Sequence, residues 1–295
     1  MYKSIRIIRI VVALAALLAP TVALVGGWDS VFSRMQIVPA IIAGAAIWLV
    51  VWIAVTFVCG RIYCSTVCPL GTLQDCVAAF RRMIPARRGC RPRGYRYHAP
   101  CNRLRLTVVV VVVSCMVCGW MLIPMLLDPY GAYARIVGQF VTAPLTGGGP
   151  AVPFAFATFA PAVTAAALVV GMSWRRGRLL CNTICPVGAL LGGISERAVL
   201  HADINTDKCI NCGECSRVCK AECIDLTRHA VDASRCVVCF KCMGVCPNDA
   251  ITYRAGRHRL AMPLMQPTPS ARMAAPHTEN FSTDETISPT TQRHP

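Results

Sequence analysis

The sequence is short of charged side chains, and of acidic ones above all. Only 15% of its 295 residues are charged, and 14 Asp and Glu stand against 30 Lys and Arg. Four apolar stretches contain no acidic residue: about 7–27, 39–60, 106–127 and 152–173. Each is long enough to cross a bilayer as a helix. Together with a mean hydropathy of +0.52, this pattern favours a membrane protein over a soluble one.

Histidine is also missing from the four stretches. The six histidines are His98, His201, His229, His258, His277 and His294. A haem b held by two histidines within the bilayer is therefore excluded. The chain has no Walker motif and no Rossmann fingerprint, so neither NAD nor ATP is a predicted cofactor.

The net charge of +16 lies in the connections between the stretches. Basic residues concentrate in segments 3–9, 61–105 and 175–178, and each of the other two connections holds one arginine. The positive-inside rule then places both termini in the cytoplasm of a multi-pass protein of the bacterial inner membrane. We interpret the charge as topology and lipid contact and predict no nucleic acid binding. A cleaved signal peptide stays an alternative for the first stretch.

Eight of the 19 cysteines form two copies of C-x2-C-x2-C-x3-C, in CINCGECSRVC and CVVCFKCMGVCP. In this spacing three thiolates bind one iron–sulfur cubane and the fourth binds the other. The first predicted [4Fe–4S] cluster has the ligands Cys209, Cys212, Cys215 and Cys246. The second has the ligands Cys236, Cys239, Cys242 and Cys219. Zinc sites more often show two separated pairs of cysteines, so the pattern favours iron and sulfide.

Two features near Cys219 depart from the usual run. Lys220 follows it where proline is common, and Cys223 comes four residues later. We interpret Cys223 as a buried bystander that can exchange into the cluster if Cys219 is lost.

A second cysteine pattern occurs twice, as YCSTVCPLG at 63–71 and LCNTICPVG at 180–188. Each copy follows an even-numbered apolar stretch. If the helix continues, cysteines at i and i+4 share a face, and the proline then redirects the chain. We predict that these two corners bring Cys64, Cys68, Cys181 and Cys185 together. The site is open between a third iron–sulfur cluster, a copper(I) or zinc site, and a reactive dithiol pair.

At these motifs the chain resembles the membrane-bound polyferredoxins typified by NapH, with relatives in NosR and CcoG. The stretches CGRIYCSTVCPLGTLQD and RLLCNTICPVGALLG are similar to that family's paired corners, and the eight-cysteine ferredoxin follows in the expected order. The resemblance covers about residues 1–260. It implies four spans, cytoplasmic termini and electron transfer linked to the quinone pool. NosR-type proteins carry a flavin-binding domain and CcoG-like members a further C-terminal domain, so NapH is the nearer match.

The sequence thus predicts an all-α bundle of four transmembrane helices (1–196), an α+β ferredoxin domain (197–260) and a disordered tail (261–295). The predicted function is electron transfer between the quinone pool, or a partner redox protein, and two [4Fe–4S] clusters. Such a chain is a subunit of an oxidoreductase system rather than a stand-alone enzyme. The alternatives are a copper or metal reductase or assembly factor that uses the paired corners, and a non-catalytic anchor.

Overall fold

The structure is a computed structural model that describes residues 2–26, 34–42, 44, 46–84, 94–142, 144 and 154–255. Its helices are α1 (Tyr2–Gly26), α2 (Ile37–Ile42), α3 (Ala46–Cys59), α4 (Tyr63–Thr66), α5 (Pro69–Met83), α6 (Asn102–Val117), α7 (Leu122–Leu127), α8 (Pro129–Val137), α9 (Phe154–Arg176), α10 (Leu179–Thr183), α11 (Pro186–Ser195) and α12 (Glu214–Val218). A π-helical turn, Gly138–Thr142, continues α8. The predicted tail, 261–295, lies outside the described residues.

The four predicted spans correspond to helices of unequal length. Within the described residues, Ser4–Gly26 alone is both long and apolar enough to cross a membrane. The fourth stretch forms α9, of 23 residues. The second is divided between α2 and α3, and the third between α6 and α7. Four membrane-spanning helices therefore stay a prediction.

The helices that follow the two Cys-Pro corners lie inside the helical part. Helix α5 packs against α1, α8 and α9, and α11 packs against α3 and α6. Each begins at the proline of its corner, Pro69 or Pro186, where proline's fixed φ suits the first turn. The duplicated motif thus produces two equivalent turns, each followed by a helix.

The ferredoxin part contains two small antiparallel sheets. Strand β1 (Leu200–Ile204) pairs with β4 (Ile251–Ala255), and β2 (Ile224–Asp225) pairs with β3 (Ala230–Val231). Strands β1 and β4 enclose both cysteine runs, since one precedes Cys209 and the other follows Cys246. A short 3-10 helix, Met243–Val245, precedes Cys246.

Hydrogen bonds join the ferredoxin part to the ends of the helices. Val199 N donates to Phe57 O at 2.9 Å, and the Tyr253 hydroxyl donates to Cys59 O at 2.8 Å. At the other corner Arg178 N donates to Lys220 O at 3.0 Å. The helices and the ferredoxin part accordingly belong to one compact unit.

Candidate metal centres

The eight ferredoxin cysteines line two separate cavities. The first cavity is bordered by Cys209, Cys212, Cys215 and Cys246 and has an empty volume of ≈ 360 Å³. The second is bordered by Cys219, Cys236, Cys239 and Cys242 and has an empty volume of ≈ 440 Å³. The structure therefore brings together the same two sets of four that the spacing predicts, and their role as ligands stays a prediction.

The backbone of the two cysteine runs is strained at matching positions. Positive φ angles recur in pairs: Asn211 and Val238, Gly213 and Phe240, Glu222 and Asp249. Val238 is β-branched and has a φ of 50°, which costs about 1–3 kcal/mol and persists only where the surroundings impose it. A tight loop around a bound group is a physical reason for such strain in both halves.

The cysteines that line both cavities suit a cubane, in which each thiolate binds a different iron. Among the described residues, no group of three or more Cys, His, Asp or Glu side chains is arranged as a single-ion site. A single zinc ion binds all of its thiolates at a Zn–S distance of about 2.3 Å, which brings the sulfur atoms close together. In a cubane the thiolates lie farther apart because each binds a different iron. Apolar side chains such as Ile251 in the first cavity and Phe240 in the second exclude water from the group.

Cys223 is a fifth thiol of the second cavity. It is 2% exposed, and its Sγ lies 3.5 Å from Cys219 Sγ. A hydrogen bond from Cys223 lowers the pKa of the Cys219 thiol. Cys223 therefore occupies a position from which it can replace Cys219 with little movement.

We predict that Cys219→Ser retains a second cluster, because Cys223 supplies the missing thiolate. Cys219→Ser/Cys223→Ser should lose about four iron atoms per chain relative to wild type. Iron analysis and EPR of the reduced protein measure this difference, and Cys223→Ser alone is the control with full iron. Equal iron loss in the single Cys219→Ser and the double variant would contradict the substitution.

Each corner begins with a break in the helix that precedes it. Helix α3 ends before Gly60 and α9 before Gly177, and these glycines have φ angles of 68° and 64°. The first cysteines of the corners then lie in the one-turn helices α4 and α10. Cys68 (φ −69°, ψ 112°) and Cys185 (φ −69°, ψ 119°) have extended backbone and precede α5 and α11. The helix thus does not continue through the motif, and the left-handed glycine is the reason.

The four corner cysteines are buried beside one another. Cys64, Cys68, Cys181 and Cys185 are 3–6% exposed. Burial, followed by repulsion from the neighbouring thiolates, raises the pKa of Cys68 and of Cys185 well above the ordinary value. Burial also raises the pKa of Cys181 to about 11. The thiols of Cys68, Cys181 and Cys185 are therefore protonated at neutral pH, and a bound metal must displace their protons.

Two arginines cross between the corners. Arg61 Nη2 donates to the carbonyl oxygen of Cys181 at 3.2 Å, and Arg178 Nη1 donates to the carbonyl oxygen of Cys64. Both side chains are fully buried. Each arginine therefore holds the first cysteine of the opposite corner. Our reading of the sequence missed this pair, although Gly-Arg precedes both cysteine motifs at the same spacing.

The two arginines differ in their charge partners. Arg178 binds both carboxylate oxygens of Asp75 at 2.8 Å. Arg61 forms no ion pair with any described residue, and donates instead to Asn182 Oδ1 and Ser234 O at 2.9 Å. A fully buried guanidinium without a carboxylate is costly unless another anion lies nearby.

Two further buried donors lie beside the corner thiols. Gln74 accepts from the Cys181 thiol at 3.3 Å, yet its Nε2 has no hydrogen-bond partner among the described residues. The Nε atom of Arg61 also lacks a hydrogen-bond partner among these residues. The Nη2 atom of Arg61 lies 3.9 Å from Cys64 Sγ. Four soft thiols, a surplus positive charge and unused donors fit an anionic metal–thiolate group.

Lys220 links the ferredoxin part to the first corner. Its Nζ pairs with Asp75, the carboxylate that also binds Arg178. Asn182 reaches the same segment, since its Nδ2 donates to Ala221 O at 3.1 Å. This docking contact explains why lysine replaces the usual proline after the fourth cysteine of the first run.

Comparison with known families matches the two corners and the first cysteine run. A family model described as a 4Fe-4S binding domain matches residues 41–87 and 158–201, which contain the two corners. A second model with the same description matches 202–225, in the first cysteine run. Parts of the chain are thus similar to 4Fe-4S binding domains.

Two of the curated relatives are ferredoxin-type proteins, as the cysteine motifs predict. NapH of Haemophilus influenzae, a ferredoxin-type protein, is 29% identical over 163 residues, covering 54% of this chain and 47% of the relative. NapH of Escherichia coli is 30% identical over 162 residues with the same coverage. The resemblance to NapH-type polyferredoxins is confirmed. YccM of Escherichia coli, whose given name refers to electron transport, is 22% identical over 189 residues. The match covers 61% of this chain and 47% of YccM.

The NapH-type resemblance is partial in extent. The chain spans about half the length of these curated relatives, 47% in each case. No solved structure matches the chain. The similarity to these relatives is therefore limited to about half of each of them.

Proposed function

We propose that the chain is a membrane-anchored electron relay with three [4Fe–4S] clusters. Two are held by the eight ferredoxin cysteines in the sets given above, and the third by Cys64, Cys68, Cys181 and Cys185. Electrons pass between the quinone pool, or a partner redox protein, and these clusters. The observation that carries the proposal is that corner and ferredoxin cysteines, including Cys64, Cys185 and Cys219, belong to one continuous buried core.

The clusters supply one-electron transfer at potentials that the protein sets. The chain's own residues hold the thiolates, exclude water and balance charge. Arg61 and Arg105 are both buried and both donate to Ser234, two residues before Cys236. Two fixed positive charges beside Ser234, close in sequence to a predicted ligand of the second cluster, favour the reduced, more negative state of that cluster.

Exposed apolar side chains support embedding in a membrane. Large ones project from α1, α3, the α6–α7 region and α9, with Ile8 63%, Val50 63%, Val117 83% and Leu168 51% exposed. Such surfaces are unfavourable in water and natural in lipid. We propose four membrane spans with the cysteine sites at their cytoplasmic ends and the ferredoxin part at 197–260 in the cytoplasm.

Iron and sulfide analysis tests the number of clusters. We predict about twelve atoms of each per anaerobically prepared chain, falling to about eight in Cys64→Ser/Cys181→Ser. The control is Cys76→Ser/Cys101→Ser, since both of these cysteines are exposed, and it should keep about twelve. Eight iron atoms in wild type, with copper bound and lost in the corner variant, would replace the relay by a copper reductase or assembly factor.

Electron transfer is tested separately in proteoliposomes by EPR. We expect a quinol to reduce at least one cluster in wild type, with dithionite defining full reduction. If dithionite reduces all clusters but neither a quinol nor a redox partner changes their oxidation state, the relay is wrong even though the clusters are present.

A further inference from the structure

A third cavity lies where α1, α5 and the second cysteine run meet. Its empty volume is ≈ 820 Å³. One wall is apolar and consists of Ile10, Ala13 and Leu14 from α1. Cys239 and the buried Tyr95 also border it. Of the predicted cluster ligands, which all lie in the described part of the chain, Cys239 alone borders this cavity.

The rest of the wall is strongly basic. Five cationic side chains border what we call the basic cavity: Arg6, Arg9, Arg82, Lys220 and Lys241. Among the described residues that border the cavity, Asp75 is the one carboxylate, and it is already bound by Arg178 and Lys220. Within the described residues the other four cations form no ion pair. Segment 85–93, which follows α5 in the chain, contains no acidic residue.

Two of these four cations are held in place. Arg9 Nη1 donates to Ser65 O at 3.0 Å, and the guanidinium of Arg82 lies 4.8 Å from the ring centre of Tyr95. Like charges fixed around a concave wall repel one another and attract an anion from solution or from a lipid surface. The basic cavity therefore has the charge and the fixed donors of an anion site.

The apolar wall specifies more than a bare anion. Ile10 and Leu14 border the cavity and are also 37% and 42% exposed. Both lie on α1, whose segment Ser4–Gly26 is long and apolar enough to cross a membrane. A charged group in the cavity can thus be continuous with a hydrocarbon chain along the outside of α1.

We propose that the basic cavity binds the phosphate group of an anionic phospholipid, whose acyl chain lies along Ile10 and Leu14. Basic residues at a membrane surface attract anionic lipid headgroups. A free phosphate ion offers the same charged group without the chain. The proposal does not depend on the electron relay, because binding is measured whichever way electrons flow.

The test uses the full chain in a neutral detergent, titrated with three probes. These are short-chain phosphatidylglycerol, short-chain phosphatidylcholine and inorganic phosphate, with bound probe counted by native mass spectrometry. We expect phosphatidylglycerol to bind at least tenfold more tightly than the other two. Arg6→Gln/Arg82→Gln should lose that preference. Arg103→Gln/Arg176→Gln removes the same charge from exposed residues outside the cavity and should keep it.

A second variant changes the cavity without changing its charge. Ala79 borders the basic cavity and is exposed, so Ala79→Trp should fill the space and weaken phosphatidylglycerol binding at least fivefold. Inorganic phosphate that binds as tightly as phosphatidylglycerol would overturn the lipid as the source. No preference for phosphatidylglycerol over phosphatidylcholine, or equal losses in the cavity and surface variants, would overturn the site.

Discussion

Replacing Arg178 by glutamine should lower the free energy of unfolding by about 3–5 kcal/mol, as expected when one partner of a buried ion pair is removed. The side chain is fully buried and binds both oxygens of Asp75, whose side chain is 17% exposed. It also holds the carbonyl oxygen of Cys64. Glutamine leaves Asp75 with Lys220 as its remaining cation and leaves the Cys64 carbonyl without its charged donor. Thermal or denaturant unfolding in detergent measures the loss.

The matched control is a second arginine–carboxylate pair on the surface. Arg217 binds Glu214 at 2.6 Å, but these side chains are 44% and 48% exposed. Such a pair contributes about 0–1 kcal/mol, so Arg217→Gln should change little. If Arg178→Gln costs no more than Arg217→Gln, the buried network does not hold the corners together.

The sign of the pH dependence follows from Asp75. Burial alone would raise the pKa of this carboxyl, but Arg178 and Lys220 outweigh burial and hold it well below the usual range. A carboxyl with a depressed folded-state pKa contributes stability that is present above its unfolded pKa of about 3.9 and lost as the pH falls through the folded value. The cost of Arg178→Gln should therefore be constant between about pH 5 and pH 8.

The cysteine positions were the most predictable part of the site. Spacing within each ferredoxin run reflects the local geometry of a loop around a cubane, so the sequence could group Cys209 with Cys246 and Cys236 with Cys219. The structure lines two cavities with these groups. Duplication of the Cys-Pro corner likewise indicated one shared site, and its four thiols are buried near one another.

Two features were not predicted, for different reasons: the contacts of Arg61 and Arg178 with the opposite corners, and the ends of the helices. Arg61 contacts Cys181, 120 residues away, and only tertiary packing creates that contact. Hydropathy averages over a window, so it cannot register that α6 ends before Gly119, where φ is 76°. The repeated Gly-Arg is visible in the sequence, but its spacing alone does not show that each arginine contacts the opposite corner.

Gly188, in the first turn of α11, should tolerate alanine far less than Gly171 in α9 does. A Cβ at residue 188 would overlap the carbonyl oxygen of Cys181 and lie 2.9 Å from Arg61 Nη2. Backbone cannot move aside as a flexible side chain can, so we expect Gly188→Ala to destabilise the protein by about 3 kcal/mol or more. Gly171→Ala in α9, where a Cβ meets nothing within 4 Å, should instead stabilise it by up to about 1 kcal/mol.

Gly188→Ala should also remove the corner cluster while leaving the two ferredoxin clusters in place. The substitution displaces the Cys181 carbonyl from Arg61, and that bond connects the two corners. Iron should therefore fall from about twelve to about eight atoms per chain while the two ferredoxin EPR signals persist. Gly71→Ala, whose Cβ would overlap the Cys64 carbonyl, should give the same result because the two corners are equivalent. If either variant keeps about twelve iron atoms and its full stability, the corner thiols form their site without the contacts of Arg61 and Arg178.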